Sequence, residues 1–220
     1  MKKIYLFSGL GADRRVFQLL DLSDYEPIFV EWIIPQKDET IEDYAKKIIF
    51  QEDFYQKNQK PILIGLSFGG MLAIEIAKLI PTEKVVLIAS AKTKHEIPFY
   101  FRWIGKLYLD KIIPAKWLKA SSKVADMIAN WFFGAKSSFD KKILKETLKD
   151  TNDIFLKWAI GQIIRWKNTT KPKNITHIHG TKDKILPIYF VDYEHKITNG
   201  GHFMTLNKAE EITRKLKEIL

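Results

Sequence analysis

Cysteine is absent from all 220 residues of the chain. That excludes a disulfide framework and any thiolate metal site. Long apolar runs are missing too. Ile4 to Phe7 follows Met1-Lys2-Lys3 but stops at Ser8-Gly9 after four residues, too short for the apolar region of a signal peptide. No stretch approaches the roughly 20 apolar residues of a membrane-spanning helix. A soluble, cytoplasmic protein without a membrane span is the expectation. The histidines lack H-E-x-x-H spacing, so no metal is expected. No RNP, zinc-finger or helix-turn-helix signature is present, so no nucleic-acid partner is expected either. The chain has no internal repeat and no low-complexity segment.

What is present suits a globular chain. Hydrophobic residues make up 46% and aromatics 13%, and the length fits one compact domain, or one with an insertion. The net charge is +10, but it is uneven. Residues 92–170 carry 16 Lys and Arg against seven Asp and Glu, so +9 of the charge falls there. Such a local excess can steer anionic substrates, although lysines on solvated helix faces account for it as well.

One stretch stands out, Pro61-Ile62-Leu63-Ile64-Gly65-Leu66-Ser67-Phe68-Gly69-Gly70. The apolar run reads as a buried strand, and Met71 to Lys78 reads as a helix. Between them lies G-x-S-x-G, a pattern expected by chance about 0.02 times in this composition. A serine between a strand and a helix, with glycines where neighbouring backbone must come close, fits a nucleophile elbow.

The chain around this stretch alternates. Lys3–Phe7 reads as a strand, ending in the glycine-rich loop Ser8–Asp13. A short helix is predicted over Arg14–Leu20 and a proline-bounded strand over Pro27–Pro35. The next helix starts near Thr40 or Asp38 as N-cap, with Ile41, Tyr44, Ala45, Ile48 and Ile49 as its apolar stripe. A fourth strand follows over Lys84–Ser90. Strands and helices alternating with continuous apolar strands imply an α/β fold, a parallel sheet covered on both faces. In such sheets functional groups gather at the carboxyl ends of the strands.

That rhythm breaks at Lys92. As far as about Asp150 the pattern is helical and aromatic, with Phe99, Tyr100, Phe101, Trp103, Tyr108, Trp117, Trp131, Phe132, Phe133 and Phe139. This reads as an insertion over residues 92–150 with a small core of its own, in which most of these rings are buried. Residues 1–91 and 151–220 form the main body. An amphipathic helix over Thr151–Trp166 leads back to the sheet. A fifth strand over Asn174–His179 ends in His179-Gly180-Thr181-Lys182-Asp183. A short sixth strand, Tyr193–Ile197, leads to Gly200-Gly201-His202-Phe203. Asn207 is the expected N-cap of a last helix.

Ser67, Asp183 and His202 thus follow strand ends in the order serine, acid, histidine. A serine needs a base to remove its proton, and His202 is placed to serve. The base needs an acid to hold its tautomer, and Asp183 fits. His177, His179 and His195 lie in strands or at their ends, where a histidine is commonly structural. Asp192 and Glu194 lie before the last strand, and the stretch Ser90–Lys94 holds no carboxylate, which favours Asp183. Asp13, Arg14 and Arg15 read as a salt bridge or helix start.

On these three motifs the sequence resembles the α/β-hydrolase family, in particular small esterase-like members with a helical cap. The resemblance covers the whole chain, with residues 92–150 matching the variable cap. It implies six parallel strands in spatial order 2-1-3-4-5-6, beginning at the family's third strand. It implies an oxyanion hole made by the backbone N–H groups of Phe68 and Leu10, although Ser8-Gly9 stands where the family usually has His-Gly. It implies a serine hydrolase acting on a small-molecule carboxylic ester or thioester, with no cofactor. The same triad in this family also supports C–C bond hydrolysis, lyase chemistry and cofactor-free haloperoxidase activity. Non-catalytic ligand-binding relatives exist as well. Serine at the nucleophile position argues against the dehalogenase and epoxide hydrolase branches.

Overall fold

The computed structural model describes residues 1–52, 54, 60–108 and 122–220. Trp117, one of the aromatic residues of the expected insertion, lies outside them. Six strands form one parallel sheet: β1 (Lys2–Phe7), β2 (Tyr25–Val30), β3 (Ile62–Leu66), β4 (Lys84–Ile88), β5 (Ile175–Gly180) and β6 (His195–Ile197). The spatial order is β2-β1-β3-β4-β5-β6, as expected. β3 is buried at every position because helices cover both faces of the sheet.

Two cores follow from the two-residue alternation of strands. On one face Tyr5, Phe7, Leu63, Val85 and Leu87 pack against α1 (Ile41–Gln51), α2 (Phe68–Leu79) and α6 (Asp153–Ile164). On the other, Ile4, Leu6, Ile64, Val86 and Ile88 pack against Val16, Phe17 and the last helix, α8 (Ala209–Ile219). Thr40 caps α1 by accepting the Asp43 N–H, and the five predicted stripe residues of that helix are buried.

β2 is shorter than predicted and ends at Val30. Beyond it, the Tyr44 hydroxyl takes both backbone bonds of Ile33, at 2.9 Å each, and the Trp32 indole donates to the Ala12 carbonyl. These side chains supply what a strand partner would have supplied. Arg14–Phe17 is a single 3₁₀ turn capped by Asp13, whose carboxylate also pairs with Arg15. Asn207 is not the N-cap of a final helix. It ends the short α7 (Met204–Asn207), and its amide donates to the Gly134 carbonyl and to Asp140.

Between β4 and β5 the chain runs through α3 (Phe99–Lys106), α4 (Lys123–Phe133), α5 (Ser138–Asp150) and α6. The predicted separate core is not found among the described residues. Phe99, Tyr100, Trp103, Tyr108, Trp131, Phe132 and Phe139 are exposed, and α4 buries none of its residues. Among the described residues of 92–150, the buried Ile97, Ala135, Ile143 and Leu144 instead join the two cores of the sheet. No described helix is long and apolar enough to cross a membrane.

Two outcomes follow. A Cβ on Gly69 would strike the backbone carbonyls of Phe7 and Ser8, which cannot yield as a flexible side chain can. Alanine gains about 1 kcal/mol in helix propensity over glycine, but overpacking costs about 1–3 kcal/mol or more. Gly69→Ala is therefore expected to lower the urea midpoint, and an unchanged midpoint contradicts this packing. The second concerns His177, which is fully buried in β5. Burial pushes its imidazole well below the ordinary value, helped by the neighbouring His179. Above about pH 6.5 neither folded nor unfolded chain protonates this group, so its contribution is intact. As pH falls through that value the unfolded chain takes the proton first, and stability drops. Urea unfolding from pH 8 to 5 is expected to show this fall, with a shallower fall in His177→Gln.

Candidate active site

Ser67 is the single residue between β3 and α2, and its backbone is unusual, with φ +52° and ψ −119°. A non-glycine residue there costs on the order of 1–3 kcal/mol. Its surroundings hold it. The Ser67 N–H donates to the Ile88 carbonyl at 2.9 Å. Its own carbonyl accepts from Gly70 N–H at 2.9 Å and from the Ser90 hydroxyl at 2.6 Å. A Cβ on Gly65 would strike the backbone of Gly70, and a Cβ on Gly70 would strike the Ser90 side chain.

The His202 loop follows β6 and reaches back to this turn. Nε2 of His202 lies 2.8 Å from Ser67 Oγ, and Nδ1 lies 2.7 Å from Asp183 Oδ2. A neutral imidazole with its proton on Nδ1 donates to Asp183 and accepts from the serine hydroxyl. The other Asp183 oxygen accepts the N–H groups of Ile185 and Leu186, both at 2.9 Å. Asp183 and His202 are both nearly enclosed, so their contact is little screened by water.

Two loops must meet for this. Lys182 N–H donates to the Gly200 carbonyl at 2.8 Å, and Thr181 N–H donates to the Ile197 carbonyl at 3.0 Å. A Cβ on Gly180 would collide with Gly200, so the loop crossing needs glycine there. The end of α4 supports the His202 loop from above. Phe203 N–H donates to the Phe133 carbonyl at 2.9 Å, and the Phe133 ring stands edge-on to the imidazole, 5.8 Å between centroids. Gly134, at φ +71°, lies against Gly201.

A narrow cleft opens at Ser67, lined by Gly9, Leu10, Phe133, Leu144, His202 and Phe203. Its free space of about 10 Å³ holds about one water molecule. Leu10 lines this cleft beside the serine. Phe68 opens α2, where the first N–H groups lack partners within the helix. A wider groove of about 820 Å³, lined by residues such as Thr40, Trp158 and Arg165, shares no lining residue with this cleft.

The rival residues lie elsewhere. Asp192 and Glu194 pair with the buried ammonium of Lys92 at 3.3 and 2.7 Å. His177 and His179 are buried together, their ring nitrogens 3.1 Å apart. His195 is half-buried in β6. Sequence reasoning missed Ser90, whose hydroxyl braces the Ser67 carbonyl. A hydroxyl at the carboxyl end of the strand beside the serine's own was the available signal. It also missed the Phe133 contact, for which no local signal exists.

The comparisons agree with this architecture. No curated protein sequence matches the chain. Among solved structures, a thermophilic esterase from Thermogutta terrifontis superposes with a TM-score of 0.73 at 15% identity, over 99% of this chain and 89% of that one. A meta-cleavage product hydrolase from Pseudomonas fluorescens gives 0.70 at 17% identity, over 100% and 90%. An enol-lactonase from Burkholderia xenovorans gives 0.69 at 15% identity, over 99% and 90%. At such identities the likeness is one of fold. The family itself rests on the sequence: a model of the alpha/beta hydrolase family matches residues 4–214, nearly the whole chain, and the protein belongs to that family.

Proposed function

We propose that the protein is a serine hydrolase that cleaves a small carboxylic ester or thioester through an acyl-enzyme intermediate. The observation that carries this reading is the continuous line Ser67 Oγ, His202, Asp183, with contacts of 2.8 and 2.7 Å. Family membership and the likeness to an esterase and an enol-lactonase point to the same class.

In this reading Ser67 Oγ attacks the substrate carbonyl carbon while its proton passes to His202 Nε2. Asp183 accepts the hydrogen bond from His202 Nδ1–H throughout, stays ionised, and stabilises the imidazolium that forms. The oxyanion settles against the backbone N–H groups of Phe68 and Leu10. The tetrahedral species collapses, the alcohol or thiol leaves with the proton from His202, and the acyl group stays on Ser67. A water that gives its proton to His202 then attacks the acyl carbon, the bond to Ser67 Oγ breaks as Oγ takes that proton back from His202, and the carboxylic acid departs. Residues 92–150 act as a cap over this site, with Phe133 and Leu144 narrowing the cleft. The small free space favours a short acyl group. The basic excess of residues 92–170 suits a substrate with an anionic group.

Fluorophosphonate labelling tests the reading directly. Wild type is expected to label at Ser67, and Ser67→Ala is expected to keep the wild-type circular dichroism while losing the label. Hydrolysis of p-nitrophenyl acetate is expected to fall by about 10⁴-fold or more in Ser67→Ala. Asp183→Asn is expected to lose about 10⁴-fold in kcat. Across p-nitrophenyl esters, acetate is expected to turn over faster than octanoate, and Leu144→Gly is expected to raise the octanoate rate. A wild-type protein that neither labels nor cleaves any of these esters contradicts the proposal.

A further inference from the structure

Behind the line of Ser67, His202 and Asp183 runs a second set of polar contacts, wholly enclosed. His177 and His179 stand two apart on β5 and so share a face of the sheet; both are fully buried. Nε2 of His177 lies 3.1 Å from Nδ1 of His179. At the outer ends, His177 Nδ1 lies 3.0 Å from the Asp192 carbonyl, and His179 Nε2 lies 2.8 Å from the Leu186 carbonyl. A carbonyl only accepts, so each end contact needs a ring proton. The contact between the rings needs a third. Two neutral imidazoles bring two protons, and burial favours the neutral form of both rings.

Ser90 decides where the missing proton falls. Its backbone N–H points at His177 Nε2, 3.3 Å away, so that nitrogen is an acceptor and the His177 proton sits on Nδ1. His179 Nε2 faces two acceptors, the Leu186 carbonyl and, at 3.7 Å, Asp183 Oδ2. Its proton therefore sits on Nε2. The unfilled contact is the one between the rings, where the Ser90 N–H offsets the facing lone pairs.

We propose that His179 is a positioning residue for Asp183: it holds the acid's loop to β5, the strand on which His177, two residues back, binds the Ser90 N–H. Leu186 is held from both sides. Its N–H binds Asp183 Oδ1, and its carbonyl takes the His179 proton. That fixes the carboxylate with Oδ2 turned to His202. At the other end the Ser90 hydroxyl binds the Ser67 carbonyl. Serine and acid are thus registered to each other twice, through His202 in front and, behind, through β5, whose His179 holds Leu186 and whose His177 holds Ser90. The charged and titratable groups facing the pair are Asp183 and His202 at His179, and Lys92, Asp192 and Glu194 at His177. The Glu194 carboxylate takes the His177 backbone N–H at 2.7 Å. The inference rests on the proposed roles of Ser67, Asp183 and His202.

Two measurements test it. In wild type labelled with ¹⁵N-histidine, ring-nitrogen spectra near pH 7.5 read the tautomers without any turnover. His177 is expected as the Nδ1–H form and His179 as the Nε2–H form; either in the opposite form overturns the proposal. The second compares His179→Phe with His179→Gln on p-nitrophenyl acetate. The glutamine amide can still donate to the Leu186 carbonyl, and phenylalanine cannot. His179→Phe is expected to lose about tenfold to a hundredfold in kcat, with KM within about twofold and a displaced acid limb in the kcat/KM profile. His179→Gln is expected to recover most of kcat and the wild-type limb. Wild-type kcat and pH profile in His179→Phe, or an equal loss in both variants, overturns the proposal. If His179→Phe does not fold, the tautomers and the His179→Gln kcat decide, a loss beyond about tenfold there overturning it. A failure of the hydrolase reading looks different: wild type shows no Ser67 labelling and no turnover, whatever the tautomers are.

Discussion

The close approach of α2 to the sheet is the constraint on which the rest of the molecule depends. Gly69 lies against the carbonyls of Phe7 and Ser8, and Gly65 against Gly70. With side chains at these positions the helix would stand off, and β3 could not turn into α2 through one residue. The turn at Ser67 is strained, and hydrogen bonds from β4 and from Ser90 hold it. Because β1, β3 and β4 all end at this contact, the ends of three neighbouring strands meet around one hydroxyl.

Much of this was legible in the sequence, for identifiable reasons. Continuous apolar runs between helical patterns specify a parallel sheet, and the strand order follows expectation. Ser67, Asp183 and His202 each sit one short loop beyond a strand, and the structure brings the three within hydrogen-bonding distance. What was illegible depends on partners far away in the chain. β2 stops early because Tyr44 binds Ile33, and Asn207 turns to Gly134 and Asp140. The aromatic residues of α4 misled for another reason. Its polar residues Lys123, Asp126 and Asn130 mark one stripe, yet Val124, Met127, Ile128 and Trp131 stand exposed, so the face that the pattern marks for burial is not buried.

α4 also has two different ends. Its outer residues Met127, Ile128 and Trp131 face solvent, while Phe133 and Gly134 hold the His202 loop. The Lys184 ammonium lies 3.6 Å from the Trp131 ring centroid, a cation–π contact from the residue after Asp183. The helix therefore touches both loops that carry the acid and the histidine, and its placement bears on their geometry.

The pairing of β4 with β5 has a consequence for how the chain is made. Val85 lies beside Ile175, so this pair closes only after the whole helical excursion has been synthesised. His202 is the last of the three clustered residues to emerge from the ribosome. Non-local strand pairs of this kind form slowly, because the entropy of closing the loop is lost before the contacts form. The nascent chain thus carries its strained serine turn, with four of the six strands already able to pair around it, well before the groups that touch its hydroxyl exist. Vectorial synthesis orders the assembly, with the turn first and its polar partners last.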